Sequence, residues 1–223
     1  MVISVNKAIK SISRADEYVV LGGTFDPVHQ GHLISARALA DRMGYQNITL
    51  MPCGDAYHKG EVSLAQHRLA MLNLAIRGDS LLKVDDREVT RQGATYTVDT
   101  LKELRHKLGD NCHLVWVMGT DAAASLSGWF QWQQIFTLAN VIVISRAGES
   151  ELDLKHWPAV KVDDVTTFKQ QTCGCYLQLA LQPVSISSSE IRLAVNKSEP
   201  VDHHVPQAVI EYIEQHGLYR GLN

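Results

Sequence analysis

The chain has 223 residues, 45% of them apolar and 20% charged, with a formal net charge of -3. That length suits one α/β domain with a real core, and the slightly acidic balance excludes a general affinity for nucleic-acid phosphate. No apolar run approaches the roughly 18 residues of a membrane span, and no apolar core follows Lys7 and Lys10 to make a secretory signal.

Residues 1–17 read as a polar extension and 18–220 as the domain. Tyr18-Val19-Val20-Leu21 is a compact apolar run stopped by Gly22-Gly23, the mark of a buried strand. A helix pattern runs from Gly31 to Met43, with Leu33, Ala36, Leu39 and Ala40 on one face and Gly44 as its stop. Asn47 to Met51 is the next strand, closed by Pro52, and residues 53–61 are a polar loop. Ser63 and Gln66 make a capping-box pattern for a helix to Ile76. Leu81 to Val84 predicts a strand, Tyr96 to Leu108 a helix, and His113 to Met118 a strand ending at Gly119. Further helical segments lead to a strand at Val141 to Ile144, and another strand falls at Tyr176 to Leu181. Residues 148–174 have no clear pattern. Helices close the chain at Ser187 to Val195 and at Pro206 to Gln215, the second with proline in its first turn. Alternating strands and helices predict a Rossmann-like, doubly wound parallel sheet with C-terminal helices, which binds ligands where the strand order reverses.

Four cysteines, Cys53, Cys112, Cys173 and Cys175, are too few and too scattered for a disulfide framework. The Cys173-Gly174-Cys175 pair does not supply the ligands of a metal site. Free thiols and a reducing cytoplasm follow as the expectation.

The most informative segment is Gly22-Gly23-Thr24-Phe25-Asp26-Pro27-Val28-His29-Gln30-Gly31-His32. Glycines at a strand end let backbone amides approach an anion, and the next helix presents its amides and positive dipole end. His29 and His32, three positions apart, face one side of a turn and can donate to phosphate. Neither a G-x-G-x-x-G fingerprint nor a P-loop is present, which weakens the oxidoreductase and kinase readings. Near the C-terminus, Ile186-Ser187-Ser188-Ser189-Glu190-Ile191-Arg192 offers serine hydroxyls and amides at a helix start plus a planar cation.

The first segment resembles the signature of the HxGH nucleotidyltransferases, and the second resembles that superfamily's I-S-S-T-x-I-R motif with serine in place of threonine. The resemblance implies that Gly22, Gly23, Thr24 and Phe25 border the nucleotide, that His29 and His32 meet the ATP phosphates, and that Ser187, Ser188 and Arg192 add ATP contacts. Middle segments are similar to the nicotinate-nucleotide adenylyltransferase family: Asp86-Arg87-Glu88-Val89, Thr95-Tyr96-Thr97-Val98-Asp99-Thr100-Leu101, Gly119-Thr120-Asp121 with Trp129-Phe130, and the tail from Val205 to Tyr219. That resemblance, covering about residues 18–220, implies adenylyl transfer from ATP to nicotinic acid mononucleotide, giving nicotinic acid adenine dinucleotide and pyrophosphate. Tyr96, Thr97, Asp121, Trp129 and Phe130 become the acceptor site, with Trp129 stacking on the ring and backbone amides at Thr97 and Phe130 holding its carboxylate. The family's loop after the second strand carries a proline where this chain has Tyr57. His58 and Lys59 remain, and Lys59 is the candidate for the acceptor phosphate.

The partners implied are ATP and a pyridine mononucleotide, with Mg²⁺ carried on ATP and no protein-held metal. Self-association into a homo-oligomer is left open by the sequence. Nicotinamide mononucleotide and phosphopantetheine remain alternative acceptors, and a nucleotide sensor without turnover is the rival from another class.

Overall fold

In a computed structural model, residues 17–54, 62–146, 150–181 and 186–221 are described. The chain enters in the middle of its sheet. β1 (Glu17–Gly23) leads through α1 (Gln30–Met43) to β2 (Ile48–Pro52) and through α2 (Ala65–Ala75) to β3 (Leu82–Val84). It then passes α3 (Arg87–Thr90) and α4 (Thr97–Leu108) and returns beside β1 as β4 (His113–Gly119). From there α5 (Thr120–Ser125), a 3-10 turn (Leu126–Gly128) and α6 (Trp132–Leu138) lead to β5 (Asn140–Arg146). The edge is built by β6 (Val160–Lys161), α7 (Val165–Lys169) and β7 (Cys175–Leu181), and α8 (Ser188–Asn196) and α9 (Gln207–His216) finish the fold.

The strand order is β3-β2-β1-β4-β5-β7-β6, and every pairing is parallel. Winding reverses between β1 and β4, so their C-terminal ends open the crevice where such sheets bind ligands. Side chains alternate between two cores. Val19, Leu21, Val115, Val117 and Ile142 join the side packed by α1, α2 and α9, while Val20, Trp116, Met118 and Val143 join the side packed by α4 and α6. Burial on both faces explains why these strands read as unbroken apolar runs.

The expected doubly wound fold is the one observed, with local differences. β1 begins at Glu17, so the last residue assigned to the extension pairs with His113. Ser63 does not cap α2. Leu64, which has no polar side chain, is the N-cap, and the Ser63 amide that a capping box would pair with Gln66 is taken by the Asp26 carboxylate at 3.1 Å. Pro206 is the N-cap of α9 and not its first helical residue. The segment without a pattern holds β6 and α7, two short elements set by pairing with β7 and by the Asp164 carboxylate capping Thr167.

Candidate functional site

The loop leaving β1 is shaped by what its glycines leave out. A Cβ on Gly22 would stand 2.6 Å from Cζ2 of the buried Trp116, and one on Gly23 would stand 2.9 Å from the Phe25 ring. Phe25 holds a left-handed backbone at φ 52, a conformation that costs a side-chain-bearing residue about 1 kcal/mol or more and persists here because the ring is buried. Its edge meets His32 at a centroid distance of 4.9 Å. His32 in turn stacks on His29, centroids 3.7 Å apart and planes within 27°. The His29 amide donates to His32 Nδ1 at 3.3 Å. Nδ1 therefore accepts, and in the neutral ring the proton sits on Nε2.

His29 is buried, and burial followed by the nearby His204 lowers its pKa to about 4, so it is neutral near pH 7. Its Nδ1 is buried with no hydrogen-bond partner among the described residues. The helix start is less open than the sequence implies. The Gln30 amide is taken by the His204 carbonyl at 2.8 Å, and the His32 amide turns back to His29 O at 3.0 Å.

The structure brings the two terminal motifs together. Arg192 Nη1 donates to Asp26 O at 2.7 Å and Ser188 Oγ donates to Pro27 O at 3.0 Å, so α8 is tied to the histidine loop. Ser187 is the N-cap of α8 and forms a capping box with Glu190, its hydroxyl lying 2.8 Å from the Glu190 carboxylate. Thr24 follows Gly23 at the strand end and gives its carbonyl to Arg68.

On the α4 side, Tyr96 is the N-cap and Thr97 opens the helix. Tyr96 and Phe130 are both exposed, and their rings lie 4.6 Å apart. This pair, 34 positions apart in the chain, offers the open aromatic surface. Trp129 is partly buried against the core on that side, as is Trp132, whose ring meets the buried Phe136 edge-on. Asp121 is exposed in the first turn of α5, just past the end of β4. Tyr57, His58 and Lys59 lie outside the described residues. A cavity of about 290 Å³ at the β6–β7 edge, lined by Glu151, Lys161, Tyr176 and Gln178 among others, shares no residue with this rim. Among the described residues no group of three or more His, Cys, Asp or Glu side chains is placed to hold a metal ion.

Beneath the rim lies a polar layer that the sequence does not announce. Arg68, 1% exposed, donates to Thr24 O at 2.9 Å, Gly54 O at 2.7 Å and Ser63 O at 3.0 Å. Asp26 accepts from the Tyr219 hydroxyl at 2.6 Å and from the Ser63 amide. Burial, reinforced by Asp26, pushes the Tyr219 phenol well up, so it stays a donor. Glu88, also buried, accepts from Thr100 Oγ1 at 2.7 Å and from the Gly54 amide. Burial raises its pKa, against the pull of Thr100, Arg91 and that amide.

The cytidylyltransferase-like family profile matches residues 20–194. A protein of Chromobacterium violaceum named "probable nicotinate-nucleotide adenylyltransferase" is 42% identical over 209 residues, 90% of this chain and 97% of its own length. A protein of Hahella chejuensis with the same name is 40% identical, covering 92% of this chain and 96% of its own. Among solved structures, Plasmodium falciparum nicotinic acid mononucleotide adenylyltransferase complexed with NaAD superposes with a TM-score of 0.69 over 92% of this chain and 97% of its own, at 21% identity. That likeness is one of fold.

Proposed function

The chain belongs to the cytidylyltransferase-like family and, within it, to the nicotinate-nucleotide adenylyltransferases, and from that premise we propose that it transfers AMP from ATP to nicotinic acid mononucleotide, releasing pyrophosphate in NAD biosynthesis. The observation that carries the site assignment is the convergence of the stacked His29–His32 pair and Arg192 on one loop at the sheet's switch point.

An oxygen of the acceptor phosphate attacks the α-phosphorus of ATP. The new P–O bond forms as the bond from that phosphorus to the bridging oxygen breaks, and pyrophosphate leaves with the electron pair. The attacking oxygen is already anionic at neutral pH, so no general base is needed. The protein's task is alignment and stabilisation of developing charge. His32, with its proton on Nε2, donates to a phosphate oxygen. His29 lines the same wall, and Arg192 and the Ser188 end of α8 face the nucleotide beside Gly22, Gly23, Thr24 and Phe25. Ser187 borders the triphosphate by its position at the cap. Tyr96 and Phe130 give the acceptor ring its aromatic surface, Trp129 backs it, the Thr97 and Phe130 amides take its carboxylate, and Asp121 and Lys59 complete the acceptor site.

Mg²⁺ fits as a passenger on ATP, where it would neutralise triphosphate charge. The carboxylate in the loop, Asp26, is already held by Tyr219 and Ser63. Free Cys53, Cys112, Cys173 and Cys175 support a reducing, cytoplasmic setting, and no described helix is long and apolar enough to cross a membrane.

The test is pyrophosphate release from ATP and Mg²⁺ with nicotinic acid mononucleotide, nicotinamide mononucleotide or phosphopantetheine supplied separately. Release with the first alone is expected. Release with another acceptor moves the substrate, and ATP binding without release makes the chain a nucleotide sensor. His32→Ala is expected to lower kcat by about 10²–10³-fold, the loss typical of one transition-state donor. A rate near wild type removes His32 from the catalytic set.

A further inference from the structure

The polar layer under the rim connects the two halves of the site through one residue. On one side of Gly54, its carbonyl accepts from Arg68 Nη2 at 2.7 Å, and Arg68 Nη1 reaches Thr24 O in the histidine loop at 2.9 Å. On the other side, the Gly54 amide donates to Glu88, whose carboxylate also accepts from Thr100 in the first turns of α4, the helix that presents Tyr96 and Thr97. Gly54 is packed so closely that a Cβ there would stand 2.3 Å from Glu88 O and 2.7 Å from Thr95 Cγ2. Thr24, Arg68, Gly54, Glu88 and Thr100 thus make a continuous strut from the nucleotide loop to the acceptor helix. Both charged members are buried, Arg68 at 1% and Glu88 at 6% exposure.

A buried cation that clasps three carbonyls is stiff, since release of any one leaves a desolvated acceptor without a partner. In-line transfer depends on the separation of two bound reactants, and a misplacement of about 1 Å can cost 10²-fold. We infer that Arg68 and Glu88 are positioning residues that fix the distance between the nucleotide loop and the acceptor helix, touching neither substrate. The inference rests on the adenylyl-transfer reading.

The experiment compares Arg68→Met, Arg68→Lys, Glu88→Gln and Thr100→Val with the wild type. It measures kcat and KM for each substrate, binding of a non-hydrolysable ATP analogue by calorimetry, and folded fraction by circular dichroism. Met fills the Arg68 volume without donors, and Gln turns an amide donor toward the Gly54 amide while keeping an acceptor for Thr100. The expected result for Arg68→Met and Glu88→Gln is a fall of roughly 10²-fold in kcat per folded molecule, with analogue affinity within about threefold of wild type. Arg68→Lys, whose single ammonium can serve one or two of the three carbonyls, recovers part of kcat, and Thr100→Val resembles Glu88→Gln. Rates per folded molecule within twofold of wild type, with only lower melting temperatures, overturn the inference. If Arg68→Met does not fold, Glu88→Gln decides alone. A wild-type protein without pyrophosphate release defeats the functional reading instead.

Discussion

The two ends of the sheet are held by the same device put to different uses. At the C-terminal rim, Arg68 clasps Thr24 O, Gly54 O and Ser63 O. At the opposite end, Arg105 donates to Leu138 O at 2.6 Å, Gly109 O at 3.0 Å, Cys112 O at 2.8 Å and Thr172 O at 2.6 Å. Beside it, Asn140 Nδ2 donates to Gln171 O at 2.8 Å, and the buried His113 bridges Gln171 O and the Tyr45 hydroxyl. Both layers satisfy backbone carbonyls where loops enter or leave the strands. The rim layer bonds to the histidine loop and to the first turns of α4, where the site residues sit, whereas Arg105 anchors the last turn of that helix, so the rim layer is the one expected to govern turnover.

Arg105→Met tests that division most strongly. Five carbonyls, those four and Asp110 O at 3.5 Å, lose a charged donor, which should lower stability by at least about 3 kcal/mol, read from urea unfolding. The kcat per folded molecule should stay at the wild-type value. A loss of rate per folded molecule as large as that of Arg68→Met would merge the two layers into one.

Acid should loosen both ends, through different histidines. His29 titrates at about 4 in the fold against 6.5 in the unfolded chain, because burial and His204 disfavour its cation. The unfolded chain therefore takes up a proton first, and stability falls as pH drops from about 6.5 to 4, by roughly 3 kcal/mol at most from this group. Burial lowers His113 in the same sense at the far end. Unfolding titrations between pH 7 and 4 should show the loss. His29→Asn should reduce its slope and leave the His113 part, and ATP, whose phosphates favour a charged His29, should flatten the rim's share. An unchanged slope in His29→Asn would show that the rim histidine is not the titrating group.

Local signals made the rim legible and left both polar layers hidden. Gly22 and Gly23, the spaced His29 and His32, and the serine run before Arg192 all announce themselves within a few residues. Arg68 and Arg105 each sit in a helix where arginine reads as a solvent-facing residue, and their partners are backbone carbonyls, which have no identity in a sequence. Tyr219 meets Asp26 across 193 positions, and Tyr96 meets Phe130 only because α4 and the turn before α6 are neighbours. The Ser63 capping pattern failed for a related reason: a tertiary partner, Asp26, took the amide that a local reading leaves to the helix. Trp129, which residue type points to for the ring, is partly buried against the α4 side of the core, and the exposed Tyr96 and Phe130 rings lie 4.6 Å apart on the same side.

Gly22→Ala tests whether the rim's shape is as rigid as its packing suggests. The new methyl would meet Trp116, itself buried against Met118 and the α4 side of the core, so the ring has little room to move. Overpacking of this kind costs about 1–3 kcal/mol, and displacement of the strand end should also raise KM for ATP. Stability and KM both unchanged would show that Trp116 yields without disturbing the loop.

Ser187→Ala has the smallest expected effect and separates two roles at one atom. As the N-cap of α8 it accepts from the Glu190 amide at 3.2 Å, and the Ser187 amide donates to the Glu190 carboxylate at 3.1 Å. Loss of such a cap costs about 1 kcal/mol. If capping is the whole of its work, thermal unfolding should shift by that amount while KM for ATP stays within twofold, since Ser188 and Arg192 still tie α8 to the loop through Pro27 and Asp26. If the hydroxyl leaves Glu190 to meet the triphosphate, KM for ATP should rise several-fold. In that case Ser187→Gly, which caps a helix nearly as well as serine, should restore stability without restoring affinity.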